Sequence, residues 1–200
     1  MKTILTFLFL AITALPAFPQ NTNSQREEHF QNILKSSTHP PTLTYDKFKN
    51  LTTIDYEVPF TTTATAMVGN LPVTVNYSWN LEIAGLITGK TSKGATNFEI
   101  ILTSQSDEWR YLKCHDFHWL VDGKAFKYIK EKYENQVVNG GVLENFEIFL
   151  TKKQLETLSQ AQKIEFEICN YQFSIEDDGI FPFWAVYEKY KDFLKPQKPN

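Results

Sequence analysis

The chain has 200 residues, a formal net charge of −3 and a hydrophobic fraction of 42%. This length suits one domain with a substantial buried core. The weak negative charge argues against nucleic acid as the main partner, because nucleic acid selects basic surfaces. No motif indicates a cofactor, so none is expected.

The amino-terminal residues have the layout of a secretory signal peptide. Lys2 precedes an apolar run over residues 4–15, which is too short to cross a hydrocarbon core of ~30 Å. We predict that residues 1–20 are cleaved and that the protein is secreted or periplasmic. Cleavage removes Lys2 and changes the net charge from −3 to −4. An uncleaved anchor is the alternative, because Leu15 occupies a position where a small residue is preferred. No later apolar segment approaches ~20 residues, which predicts no transmembrane segment in the mature chain.

Residues 21–42 are predicted to form a short helix followed by a linker. Three apolar residues recur at helical spacing in a polar stretch: Phe30, Ile33 and Leu34. Pro40 and Pro41 then remove two backbone donors and end the helical pattern.

Residues 43–195 show the alternation of an antiparallel sheet with one buried face. The clearest run places apolar side chains at every second position: Val73, Val75, Tyr77, Trp79, Leu81 and Ile83. A slip of one residue would expose six apolar groups at ~1.5–3 kcal/mol each, so the register is expected to be firm. Shorter alternating runs predict further strands around Ile54, Phe98, Val142, Ile164 and Phe173.

The stretch 109–126 combines aromatic, histidine and cysteine residues. Its alternation predicts an extended strand from Trp109 to Val121. Asp122 and Gly123 then predict a two-residue hairpin, because a type I′ turn needs positive φ at both central positions. The next segment, 125–138, also suits a helix, but we favour a strand because turn signals flank it.

Two short helices are expected in the last third of the chain. Thr151 and Gln154 form a capping box for the first of them. The second presents one apolar stripe that predicts docking on the sheet: Phe183, Val186, Tyr187, Tyr190, Phe193 and Leu194. Residues 196–200 are expected to form a frayed tail. The sequence thus predicts a mainly β protein, an antiparallel β-sandwich or strongly curved sheet with two short helices, the last one C-terminal and packed on the sheet.

The two cysteines, Cys114 and Cys169, are predicted to form a disulfide, because an exported protein meets an oxidising compartment. Two free thiols are the alternative. Cys114, Asp116 and His118 share one face of the predicted strand and are metal-ligand types, so a metal-dependent enzyme is a second hypothesis. A complete metal site would still require another ligand, which no motif supplies.

The sequence favours a binding function over catalysis. No Gly-x-Ser-x-Gly motif is present, and Cys114 has a plausible oxidised partner. Trp184 lies off the apolar stripe and Phe149 on the polar face of its strand, so this pair is the predicted contact surface. The many aromatic residues also suit a carbohydrate-binding module.

Four stretches resemble a set of exported bacterial β-rich proteins of unknown function: TYDKFKNLTTI (44–54), WRYLKCHDFHWLVDGK (109–124), NGGVLENFEIFLTKKQLETL (139–158) and KIEFEICNYQFSIEDD (163–178). The resemblance covers most of residues 44–194 and rests on strand, turn and capping patterns. It implies an extracytoplasmic β domain and carries no activity or site residue. We therefore expect a non-enzymatic exported domain that binds another envelope or extracellular protein, through a sheet edge or the Trp184 side of the last helix.

Overall fold

The computed structural model describes residues 23–68, 71–90 and 96–195. The predicted signal peptide and tail lie outside the described residues. No helix in the described part of the chain is long and apolar enough to span a membrane.

The described chain is mainly β, with three helices. The ten strands are β1 (Thr42–Asp46), β2 (Leu51–Val68), β3 (Leu71–Thr88), β4 (Thr96–Ser106), β5 (Phe117–Val121), β6 (Lys124–Ala125), β7 (Lys130–Val138), β8 (Gly141–Leu150), β9 (Lys163–Ile168) and β10 (Tyr171–Glu176). The helices are α1 (Asn23–Ser36), α2 (Lys152–Gln160) and α3 (Phe181–Leu194), and a short 3-10 turn (Asp177–Ile180) precedes α3.

All strand pairs are antiparallel and form one hydrogen-bonded path, β6-β5-β9-β10-β2-β3-β4-β8-β7, with β1 added to β2. β2 and β3 pair over their whole length of 18 residues each. The predicted alternation in β3 is confirmed where side chains are described: Tyr77, Trp79, Leu81 and Ile83 are buried. The Val73 and Val75 side chains lie outside the described part.

The sheet is strongly curved, because strands that are far apart on the path meet through their side chains. β5 and β8 are six strand spacings apart, which is ~29 Å in a flat sheet. Phe117 of β5 nevertheless stacks on Phe146 of β8 with ring centroids 5.6 Å apart. Trp79 of β3 likewise contacts Phe166 of β9, three strand spacings away, with ring centroids 6.4 Å apart. The two halves of the sheet therefore pack face to face around one hydrophobic core.

Helix α3 packs on the sheet as predicted. Its first turn contacts β2 through Phe181 and Tyr56, whose ring centroids are 5.9 Å apart. Its last turns contact β4 through Tyr190 and Phe98, at 5.1 Å. Helix α2 begins with the predicted capping box, in which Thr151 and the third residue of the helix exchange hydrogen bonds.

Helix α1 is held against α2 and α3 by a few specific contacts. Phe30 is its buried residue. Arg26 donates hydrogen bonds to the carbonyl oxygens of Gln160 and Ala161, at 2.8 and 2.5 Å, and so caps the carboxyl end of α2. His29 Nε2 lies 2.7 Å from the Asp178 carboxylate. α1 is thus a mostly exposed helix whose one fully buried side chain is Phe30, with Ile33 and Leu34 partly buried against the core.

One strand prediction is wrong at its start. Residues 107–116 form bends and turns, and β5 begins at Phe117 rather than Trp109. The segment leaves the extended conformation because Tyr111 packs into the core against Trp79 and Phe146. The hairpin after β5 is confirmed: Asp122 and Gly123 have φ of 50° and 73°. Residues Lys130–Val138 form the favoured strand.

Candidate functional site

Residues 107–116 form a loop that connects β4 to β5. A disulfide links Cys114 in this loop to Cys169 in the β9–β10 turn, with Cα atoms 5.8 Å apart. The Cys169 backbone N–H also donates a hydrogen bond to the Asp116 carbonyl oxygen at 3.1 Å. The loop is therefore fixed to the turn by one covalent and one polar contact.

The three metal-ligand candidates do not form a site together. The disulfide engages the Cys114 sulfur, so no thiolate is present. His118 lies exposed on the outer face of β5, whereas Asp116 precedes the strand. Within the described ranges, no group of three His, Cys, Asp or Glu side chains is placed to hold a metal ion. The metal hypothesis thus lacks its strongest ligand.

The predicted contact surface is wrong at Trp184. This residue is only 7% exposed, because α1 covers it. Phe30 and Phe181 contact its ring at centroid distances of 5.6 and 6.0 Å. Phe149 is half-buried on the outer face of β8, where Lys130 Nζ lies 4.3 Å from its ring centroid. The two residues therefore do not share a surface.

A fully buried carboxylate holds the loop against β8. Glu144 accepts hydrogen bonds from the backbone N–H groups of Arg110 and Tyr111, both at 2.9 Å, and from Tyr133 Oη at 2.6 Å. Burial, followed by this hydrogen bond, raises the pKa of Tyr133. Sequence reasoning missed Glu144, although its position on the apolar face of an alternating strand is an available signal.

Three tyrosines and one arginine meet beside the loop; we term Tyr77, Arg110, Tyr111 and Tyr171 the tyrosine–arginine cluster. The Tyr171 ring lies 5.6 Å from that of Tyr77 and 6.1 Å from that of Tyr111. The Arg110 guanidinium carbon lies 4.8 Å from the centre of the Tyr77 ring. Tyr111 is fully buried, and its hydroxyl has no hydrogen-bond partner among the described residues.

Next to this cluster, β3 has one open edge. β3 pairs with β2 over its whole length but with β4 only from Trp79 to Ile87. Leu71–Ser78 thus has β2 on one side and no described strand on the other; we term it the ribbon edge. Leu71 is 71% exposed. The sequence carries no Asp, Glu, Lys or Arg from Val58 to Leu81, so the ribbon edge lacks charged side chains.

The strands at the two ends of the path differ from the ribbon edge. β6 has two residues. β7 has nine, but Lys130, Glu131, Lys132 and Glu134 place charges along it. Charged side chains and short length are the usual protection against pairing with another chain. Among the described strands, the ribbon edge is thus a long open edge without charged protection.

Comparisons with family models, with curated proteins and with solved structures found no match to this chain.

Proposed function

We propose that this protein is an exported, non-enzymatic binding domain that takes an extended segment of another envelope or extracellular protein onto its ribbon edge. The proposal rests on one observation: eight residues of β3 pair with β2 on one side, have no described strand on the other, and carry no charged side chain. An open edge of this kind is a template for strand addition.

Export is supported by two features. Residues 1–20 have the layout of a secretory signal, and the chain is proposed to belong with the exported β-rich bacterial proteins that it resembles. The disulfide between Cys114 and Cys169 is typical of proteins in oxidising compartments. A secreted or periplasmic location therefore fits the chemistry of the chain.

A binding role, rather than catalysis, is supported by the structural roles of Cys114 and Glu144. The Cys114 sulfur is bonded to Cys169, and the Glu144 carboxylate is buried under three hydrogen bonds. Both groups hold the loop in place, which leaves neither available as a nucleophile or a general base.

The affinity expected for an added segment follows from the backbone hydrogen bonds that it would form with the ribbon edge. A strand added along eight residues forms about eight hydrogen bonds, fewer where Pro72 lacks an N–H. At about 0.5–1 kcal/mol net for each bond, the sum is about 4–8 kcal/mol, an upper limit that corresponds to dissociation constants from about millimolar to micromolar. Ribbon-edge binding is thus transient unless a side-chain contact adds to it.

Photo-crosslinking tests the proposal. A benzophenone amino acid replaces Thr74, an exposed residue of the ribbon edge, and in a matched variant it replaces Lys132 on the β7 edge. Both are expressed in the source cell, and crosslinked segments are identified by mass spectrometry. We expect a defined extended segment at position 74, absent at 132, that binds the purified protein as a synthetic peptide. Equal crosslinking at both positions, or a segment that fails to bind when purified, would refute strand addition.

A further inference from the structure

We propose that the tyrosine–arginine cluster binds the terminal carboxylate of the extended segment that adds to the ribbon edge. This inference deepens the proposed function and rests on it. The partner is thereby narrowed to a protein whose carboxyl terminus is free and extended, because an internal segment has no carboxylate at this place.

The first support is a cation without a carboxylate partner. The exposed Arg110 guanidinium lies over the Tyr77 ring and forms no ion pair with the residues that the structure describes. The nearby Glu144 carboxylate already accepts three hydrogen bonds and makes no salt bridge with this guanidinium. A guanidinium offers a planar pair of donors that matches a carboxylate.

The second support is a buried donor that has no partner. The Tyr111 hydroxyl is buried and unpaired within the described chain, an arrangement that costs free energy unless a ligand or water pairs with it. Within the cluster, the Tyr171 ring lies next to the rings of both Tyr111 and Tyr77. Burial, followed by the Tyr171 hydroxyl, raises the pKa of Tyr77 to about 12. Burial, followed by Tyr77, also raises the pKa of Tyr111. Of these hydroxyls, that of Tyr77 shares a hydrogen bond with Tyr171, whereas that of Tyr111 is a donor without a described acceptor.

The third support is the position of the cluster at the end of the ribbon edge. The ladder between β3 and β4 stops at Trp79 and Ser104, and the chain then turns so that Arg110 lies over Tyr77. A segment added beside Leu71–Ser78 would meet Arg110 where β4 ends. Because β3 runs from Leu71 towards Tyr77, a segment that runs parallel to β3 would have its carboxyl end beside Arg110.

The test uses the mature, disulfide-bonded protein and a library of N-acetylated hexapeptides of uncharged residues, prepared as free acids and as amides. Retained peptides are counted by mass spectrometry for the wild type, Arg110→Gln, Tyr171→Phe and Lys113→Gln. Lys113→Gln removes a positive charge from the same loop and serves as the matched control.

We expect the wild type to retain free acids about tenfold or more over amides, since one charge-assisted hydrogen bond contributes a factor of this order. Arg110→Gln should abolish the difference, Tyr171→Phe should reduce it, and Lys113→Gln should preserve it. Equal retention of acids and amides would overturn the carboxylate site and leave strand addition standing. Retention of neither form would count against both proposals. If Lys113→Gln loses the preference for acids as completely as Arg110→Gln does, the preference reflects general charge attraction, and the carboxylate site is overturned.

Discussion

Replacement of the buried carboxylate, Glu144→Gln, tests how the loop is attached to the sheet. The carboxylate accepts three hydrogen bonds, at 2.6, 2.9 and 2.9 Å. A carboxamide keeps one acceptor oxygen and turns an NH2 group towards buried donors. The loss of charge-assisted hydrogen bonds and the presence of one unpaired buried donor together lower the free energy of unfolding by about 3–5 kcal/mol. For a chain of this size, the melting temperature should fall by about 10 °C.

The assay is urea unfolding followed by tryptophan fluorescence, with circular dichroism as a second probe. Glu147→Gln is the control, because Glu147 lies on the outer face of the same strand and pairs with the half-exposed Lys132 at 3.3 Å. Its free energy of unfolding should fall by less than about 1 kcal/mol. If Glu144→Gln destabilises the protein no more than this control does, the buried carboxylate does not anchor the loop.

Three further predictions concern the disulfide, the sheet surface and α1. Replacing both cysteines by serine opens a loop of 55 residues and should cost about 4 kcal/mol in urea unfolding; an unchanged midpoint would contradict the bond's role. Burial, then Glu57 and Asp55, raises the pKa of Glu82 above its usual 4.5. The folded state therefore binds this proton more tightly than the unfolded state, and the stability that protonation provides is lost as pH rises through the raised pKa. Glu82→Gln should raise the free energy of unfolding by about 0.5 kcal/mol at neutral pH and leave it unchanged below pH 4.5, where Glu82 is protonated. A lower free energy of unfolding at neutral pH would refute the repulsion between Glu82 and the carboxylates of Glu57 and Asp55. Phe30→Ala should undock α1, so that limited proteolysis cuts the helix and Trp184 fluorescence shifts to the red, whereas unchanged protection would show that polar contacts suffice.

The strands and α3 were predictable because the spacing of apolar residues along the chain indicates which side chains are buried. Alternate residues of β3 are apolar, and only an extended chain places Tyr77, Trp79 and Leu81 on one face. The turn after β5 was equally local, since Asp122 and Gly123 adopt positive φ with little strain. These features depend on neighbours in the chain, which a sequence displays directly.

Trp184 and the loop 107–116 were not predictable, because their environments come from distant residues. Trp184 lies off the stripe of α3, and α1 buries it from the opposite end of the chain. Tyr111 alternates like a strand residue, but its ring packs into the core and the Glu144 carboxylate accepts hydrogen bonds from its backbone N–H and that of Arg110. The contact of Trp184 leaves no local pattern in the sequence. Glu144 leaves one, a charged residue on the apolar face of β8, but the sequence does not show which backbone groups it binds.

The ribbon edge was foreseen only as an unspecified sheet edge. Its location depends on where the β3–β4 ladder stops, at Trp79 and Ser104, and no local pattern in the sequence marks this point. The absence of charge between Val58 and Leu81 is visible in the sequence. It becomes informative only once the structure shows that one side of Leu71–Ser78 has no partner among the described strands.

Hydrogen exchange of the Leu71–Ser78 amides tests the central claim most directly, with and without the segment recovered by crosslinking at Thr74. Strand addition predicts slower exchange at alternate amides of this stretch, while those of β7 stay unchanged. Protection confined to β7 or the helices, or no change in Leu71–Ser78 when the segment is bound, would contradict it.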